Sequence, residues 1–366
     1  MLLHDLSVYN VRNIKHAHLV FNSKFNFVIG ANGAGKSSLL EALSVISTSK
    51  SFRTRQLAKI MSSDVDSLTI TCKGNNNESD FVVGIRRFKN GGFEAKCNGN
   101  KINQLSLITQ LLPIIGVYPG FYERVAEKRQ ERLKLLDWCL FHVEQSYFEY
   151  WRQYNKILKQ RNALLKQIKL KVNRPTDLDY WDSLIIKAGN QLITSRAGMV
   201  QQLNPRFEGY IKKFEIEGLE ASLRAASGVR QDSSFKECLE SSRDTDIQKG
   251  FTTYGPHKAD LKVMHSGKLL FDIASRGQQK LVINALVLSM VNLFNHTTRR
   301  SSLVFIDDLP SELDEHSQTK LLGSLDELED TQILITAINQ DSLPKTISGY
   351  NRQMFHVKHG VFQVMD

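Results

Sequence analysis

The chain has 366 residues, 41% hydrophobic and 23% charged, which argues against a disordered chain and supplies the apolar material for one large domain or two. Its four cysteines, Cys72, Cys97, Cys139 and Cys238, include no CxxC pair, so neither a disulfide framework nor a cysteine-built zinc site is expected, in keeping with a reducing cytoplasmic setting. Lys and Arg outnumber Asp and Glu by 48 to 38, a net charge of +10 that favours a polyanionic partner, nucleic acid before an anionic membrane.

Residues 1–13 lack a basic stretch followed by an apolar one, so no signal peptide is expected. Residues 2–8 and 17–21 predict two strands joined across 10–15, an antiparallel flap. Residues 25–29, Phe-Asn-Phe-Val-Ile, predict a short buried strand. Gly30-Ala31-Asn32-Gly33-Ala34-Gly35-Lys36-Ser37 then fits G-x-x-x-x-G-K-[ST], the phosphate-binding loop, and Leu39, Leu40 and Leu43 follow at helical spacing. Strand, loop and helix thus stand in the order the chemistry requires. The glycines let the backbone approach an anion closely, and the loop amides with the helix N-terminus, through Ser38, surround phosphate oxygens with positive partial charge. Lys36 reaches the β- and γ-phosphates of a nucleotide, and Ser37 offers a hydroxyl to Mg²⁺.

Residues 49–55, Ser-Lys-Ser-Phe-Arg-Thr-Arg, form a basic stretch around an aromatic, suited to nucleotide or DNA and equally to a solvated loop. Strands are expected across 67–97, with turns at 73–79 and 90–92 and a hairpin of 81–85 with 93–97. A short helix at 105–112 ends at Pro113, a buried strand occupies 114–117, and 126–141 is helical through Leu133, Leu136 and Leu140. From 146 to 171, and from 177 to about 226, the pattern is helical with a break at 173–175, which predicts an inserted helical lobe. On its first helix Arg152, Lys156, Lys159 and Lys166 share one narrow arc. Trp151, Tyr154, Ile157, Leu158, Leu164, Leu165 and Ile168 lie opposite, interrupted by Arg161. Between Trp151 and Arg174 there are eight Lys and Arg and no acidic residue. A face of one sign is a candidate DNA-backbone contact, with a merely solvated face as the alternative.

Residues 227–250 are polar and predict a loop or frayed helix, and strands resume at 259–264 and 268–271. Ser275-Arg276-Gly277-Gln278-Gln279-Lys280 opens a long apolar helix to Phe294. Its apolar run, 281–294, is interrupted by Asn284, Ser289 and Asn292 and is too short to span a bilayer, so it predicts a core helix. Leu303-Val304-Phe305-Ile306 is a buried strand that runs into Asp307-Asp308. Another buried strand is expected at 332–336, and a hairpin at 354–364 turns around His359-Gly360.

An apolar strand ending in Asp is the partner a phosphate loop needs. Asp307, with Ser37, is the expected Mg²⁺ ligand, and Asp308 the carboxylate that orients or deprotonates the attacking water. The alternative is a pair of helix-capping acids. Ser275, Arg276, Gly277 and Gln278 at a helix start make a second anion site, although taken alone the motif reads first as a capped helix. One nucleotide cannot use both sites if they lie far apart in one subunit. Two chains that sandwich ATP would use them together, the phosphate loop from one and this motif from the other.

These motifs resemble those of the RecF family of bacterial recombination-repair ATPases. The resemblance rests on Gly30–Ser37, on Ser275–Lys280, on residues 305–314, and on Tyr254-Gly255-Pro256-His257-Lys258-Ala259-Asp260-Leu261. Arg12-Asn13, Ser51-Phe52-Arg53 and Leu136-Asp137-Trp138 also match, so it spans Arg12 to about Gly360. It implies an α/β fold, a phosphate-loop ABC-type ATPase head with N-terminal antiparallel strands and an inserted helical arm lobe. The expected division is head at 1–141, arm lobe at 142–226 and head again at 227–366. It further implies an ATP-dependent homodimer with Asp314 among the contacts made in trans. The expected partners are double-stranded and gapped DNA, with RecO and RecR in loading RecA, under slow ATP hydrolysis. Three features depart from the family pattern. Leu112-Pro113-Ile114-Ile115-Gly116 has no Gln, leaving the γ-phosphate sensor unassigned. Arg132-Leu133 replaces paired arginines, and Pro119-Gly120 replaces a Pro-acid start, which leaves the loop at 119–135 without an assigned role. Strand 332–336 is followed by Ala337-Ile338, not by the histidine of transporter ATPases. A transporter-type ATPase subunit and a non-catalytic ATP-gated DNA clamp are the rival readings.

Overall fold

Strands β1 (Leu2–Val11) and β2 (Ile14–Val20) pair antiparallel through a tight turn at Arg12 and Asn13. Both run closer to each other than the expected 10–15 connection, because Arg12 takes a left-handed φ of 55° that closes the turn in two residues. In this computed structural model the described residues are 1–365 other than 55, 63, 77, 78, 173 and 217. Arg55 of the basic stretch, Asn173 of the expected helix break and part of the 73–79 turn therefore lie outside them.

The phosphate-loop strand β3 (Phe25–Ile29) and the helix α1 (Lys36–Thr48) fall where the pattern places them. Then come β4 (Ser67–Asn75), β5 (Asp80–Phe88), β6 (Phe93–Cys97), β7 (Asn100–Lys101), α2 (Leu105–Leu111) and β8 (Ile114–Val117). Pro119 and Gly120 form a turn, but the rest of the expected 119–135 loop is helical: α3 (Phe121–Glu127) leads through Lys128 into α4 (Arg129–Val143), which includes most of the helix expected at 126–141. The lobe helices are α5 (Tyr147–Lys169) and α6 (Leu178–Lys213).

Two further segments differ from expectation. Residues 222–226 form a strand, β9 (Ser222–Ala226), not the end of a helix: the Leu223 amide donates to the Asn204 side chain of α6 at 2.5 Å, which starts an extended run. Residues 235–249 form a regular helix, α7 (Phe235–Lys249), not a frayed one. Ser234 and Glu237 close a reciprocal capping box, 2.7 and 3.2 Å, and Gly250 ends the helix in the left-handed region. The chain continues through β10 (Asp260–His265), β11 (Lys268–Leu269), α8 (Arg276–Thr298), β12 (Ser302–Ile306), α9 (Leu309–Glu312), α10 (Glu315–Asp326), β13 (Thr331–Ala337), β14 (Arg352–Lys358) and β15 (Val361–Met365). At 23 residues α8 is long and apolar enough to cross a membrane, longer than the apolar run alone implied, but 72% of its most apolar stretch is buried inside the protein.

The chain forms two compact units, Met1–Tyr122 with Val291–Asp366, and Glu123–Met290. The first holds two sheets. One is antiparallel, in the order β2-β1-β4-β5-β6-β7. The other runs β15-β14-β3-β13-β12-β8, parallel from β14 to β8 with β15 antiparallel at one edge. Its central strands β3, β12 and β13 are buried at every position, as parallel strands covered on both faces are. Because β13 lies between β3 and β12, the loops after all three open at the same edge of the sheet, where α/β proteins place ligands.

The second unit combines helices α4 to α7 with the small sheet β11-β10-β9. On α5 the apolar side is buried, except that Trp151 is exposed and Leu158 only half-buried, and Arg152, Lys156, Lys159 and Lys166 are all exposed. Arg161, which interrupts the apolar side, is fully buried. It is held by Asp182 of α6 at 2.7 Å, and by Asp246 of α7 and Thr252 at 2.9 and 2.8 Å. A buried guanidinium is tolerable only with such partners, and these tie three helices together.

Candidate nucleotide-binding site

The loop between β3 and α1 is clamped from two sides. The Asn13 side chain donates to the Gly33 carbonyl at 3.0 Å and accepts from the Ser38 hydroxyl at 2.9 Å. The Gly360 amide donates to the Ala34 carbonyl at 2.7 Å from the β14–β15 turn. Gly30 has no room for a side chain, since a Cβ there would strike the Val357 carbonyl, and Gly35 sits at φ 127°. Arg12 forks onto Glu41 of α1, 2.9 and 3.1 Å, and the Ser51 hydroxyl donates to the same buried carboxylate. The two short N-terminal motifs thus meet on the phosphate-loop helix.

Within the loop the Lys36 ammonium donates to the carbonyls of Gly30 and Ala31. Burial pushes Lys36 below its ordinary pKa, and the carboxylates of Asp308 and Asp307 oppose that shift. Both groups therefore share one electrostatic site although 270 residues separate them. The direct link is Ser37, whose hydroxyl donates to Asp307 Oδ1 at 3.0 Å. Thr336 Oγ1 donates to the same oxygen at 2.8 Å and accepts the Asp308 amide at 2.8 Å. Burial raises the Asp307 pKa; the hydroxyls of Thr336 and Ser37 and the charge of Arg53 hold it back.

Asp307 Oδ2 and Asp308 Oδ1 are buried without a hydrogen-bond partner among the described residues. An orphaned carboxylate oxygen beside a serine hydroxyl is an all-oxygen donor set that fits a hard dication such as Mg²⁺. Asp308 stands at the start of α9 with φ 55°, and its side chain makes no cap bond, which removes support from the helix-capping alternative. One residue absent from the sequence-level candidates, Thr336, belongs here. Beside the strand that ends at Asp307, Phe52 packs on Phe305 and stacks on Tyr118 at 4.5 Å.

The other candidates stand as follows. Ser275, Arg276 and Gly277 are exposed at the start of α8, and Ser275 and Gln278 form a reciprocal cap, 2.9 and 3.3 Å. Asp314 is exposed and caps α10, accepting from the amide and hydroxyl of Ser317, both at 2.9 Å, which lowers its pKa. Arg152 pairs with Glu149 on the surface at 3.0 Å. The Gly-Pro-His segment is a scaffold in the second unit. The Pro256 carbonyl accepts from Arg196 at 2.8 Å, and Arg196 also pairs with Asp137. His257 accepts from the Tyr154 hydroxyl at 2.7 Å on Nδ1 and faces the Thr252 carbonyl with Nε2 at 3.1 Å.

Fold and site define an ATPase head of the phosphate-loop class, with β12, the strand that ends at Asp307, one strand removed from the loop strand β3. A family model described as RecF/RecN/SMC N terminal domain matches residues 2–363. A DNA replication and repair protein RecF from Shewanella piezotolerans is 32% identical over 368 residues, 100% of both chains. The protein of the same name from Shewanella halifaxensis is 34% identical over 369 residues, 100% of this chain and 99% of the relative. The solved structure of the recombination mediator protein RecF with ATP, of the RecFOR pathway, has a TM-score of 0.86 at 25% identity, covering 100% of this chain and 98% of that one. An SMC head bound to the C-terminal winged-helix domain of ScpA has a TM-score of 0.60 at 14% identity over 100% and 97%, a likeness of fold. The chain belongs to the RecF family, and its head is of the ABC ATPase type.

Proposed function

We propose that this chain is an ATP-hydrolysing, DNA-binding protein of replication and recombinational repair. It acts as an ATP-dependent dimer on gapped or junction DNA with RecO and RecR to help load RecA. The observation that carries the ATPase reading is the convergence of Lys36, Ser37, Asp307 and Asp308 at one edge of the parallel sheet. Phosphate oxygens would take over from the Gly30 and Ala31 carbonyls as partners of Lys36, and the amides of residues 30–38 would surround the β-phosphate. Ser37 and Asp307 would hold Mg²⁺, which supplies charge neutralisation between the β- and γ-phosphates. Asp308 orients the attacking water and accepts its proton, and its short side chain favours slow turnover.

Ser275, Arg276, Gly277, Gln278 and Asp314 would complete the site from the partner subunit. The exposed Arg152, Lys156, Lys159 and Lys166 of the arm lobe, residues 142–226, would track DNA phosphates. The experiment compares ATP turnover and binding to gapped, blunt and single-stranded DNA for wild type, Lys36→Met and Asp307→Asn. Lys36→Met loses every ATP-dependent behaviour, whereas Asp307→Asn retains much nucleotide binding and loses hydrolysis. Wild-type turnover in either variant rejects the assignment.

A further inference from the structure

We propose that Thr336 is a positioning residue for hydrolysis: its single hydroxyl locks Asp307 and Asp308 into one arrangement and so sets turnover rather than nucleotide affinity. This rests on the hydrolytic reading of Asp307 and Asp308. Thr336 is the penultimate residue of β13, fully buried, on the strand between the phosphate-loop strand and the strand that ends at Asp307. The parallel pairing of Ile306 with Ile335 puts Asp307 and Thr336 one step further along adjacent strands. They meet because of that register.

A hydroxyl has one proton and two lone pairs, and both capacities are used. The proton goes to Asp307 Oδ1 at 2.8 Å. A lone pair takes the Asp308 amide at 2.8 Å. With Ser37 also donating to Oδ1, that oxygen carries two hydroxyl donors, and Oδ2 is the oxygen of Asp307 left for a ligand. The amide contact acts on the next residue. Asp308 has φ 55°, a conformation that non-glycine residues adopt only when something holds them there. The Thr336 oxygen holds that peptide, and the peptide aims the Asp308 carboxylate. A hydrophobic side chain of the same shape would fill the space and lose both bonds, leaving the Asp308 amide and one acceptor site on Oδ1 unmatched in a buried setting. Groups that orient ligating carboxylates through hydrogen bonds typically change activity about 10- to 100-fold when removed.

The test uses the full-length protein with saturating Mg²⁺ and DNA. It measures kcat for ATP, equilibrium binding of a fluorescent ATP analogue, and thermal melting. Thr336→Val and Thr336→Ala should lower kcat by about 10- to 100-fold while the nucleotide Kd stays within about 3-fold; Thr336→Ser should stay within about 3-fold of wild-type kcat. The Ala and Ser variants differ only by the hydroxyl, so they decide the matter if the valine variant does not fold. Wild-type kcat in Thr336→Ala, or a Thr336→Ser as slow as Thr336→Ala, overturns the proposal. Asp308→Asn separates the two levels. If it is inactive while the Thr336 variants turn over normally, only the role of Thr336 falls; if it turns over normally, the hydrolytic reading falls and the proposal with it.

Discussion

Arg132 of α4 grips Asp260 of β10 in a two-bond fork, Nε to Oδ1 at 2.9 Å and Nη2 to Oδ2 at 2.8 Å, with both side chains largely buried. The same guanidinium donates to the carbonyls of Val125 and Ala126 at 2.8 and 2.7 Å, so it also fixes the junction of α3 and α4. The single arginine that departs from the family's pair is thus the anchor of the aspartate in the Gly-Pro-His segment. Arg132→Ala leaves a carboxylate and two carbonyls without partners and should cost about 3 kcal/mol. All three tryptophans, Trp138, Trp151 and Trp181, lie within residues 123–290, so the urea midpoint of tryptophan fluorescence reads this unit directly. An unshifted midpoint rejects the anchoring role.

His257 gives the same unit a pH dependence. Burial, aided by the charges of Lys258 and Arg129, lowers its pKa from the ordinary 6.5 to about 4. Above pH 6.5 the ring is neutral whether the protein is folded or not. As pH falls below 6.5 the unfolded chain takes up a proton that the folded protein refuses, so stability declines from there toward pH 4 and then levels off. Unfolding midpoints by tryptophan fluorescence should fall through that window, and His257→Gln should flatten the fall. A profile that His257→Gln leaves unchanged assigns the acid sensitivity elsewhere.

The exposed basic arc of α5 predicts a salt signature. Changing Lys156 and Lys159 to Gln should weaken gapped, blunt and single-stranded DNA alike. It should also reduce the slope of log affinity against log salt by about 0.7–0.9 per lost contact. A slope equal to wild type makes this face merely solvated.

Ser275 is exposed and free of any role in the phosphate loop, which allows a complementation test. Ser275→Arg should bind ATP through residues 30–38 and fail to dimerise. Mixed with Lys36→Met, it forms a heterodimer with one intact composite site, and ATP-dependent association or turnover should return. Light scattering with and without ATP reads the outcome. Full dimerisation of Ser275→Arg alone excludes the shared site.

The readings that came true from sequence were local ones. Gly30 to Ser37 sits between an apolar strand and a helical repeat, and the apolar run 303–306 ends in Asp307, so the loop and the acid were each legible from the few residues around them. The helix at 235–249 was missed, although Ser234-x-x-Glu237 and Gly250 carry its caps, because the polarity of the segment hid them. The role of Thr336 was not legible, because it exists only once β13 is inserted between β3 and β12 in one register, bringing the hydroxyls of Ser37 and Thr336 onto one oxygen of Asp307. Arg161 is the same lesson in the second unit: along the helix it breaks an apolar face, and only the approach of Asp182 and Asp246 from two other helices makes it a core residue. Helical and strand periodicity, turns and phosphate loops arise from interactions a few residues apart and are written along the chain. Which buried polar groups find partners is decided by strand order and helix packing, because those partners are far apart in sequence and meet only in the folded protein.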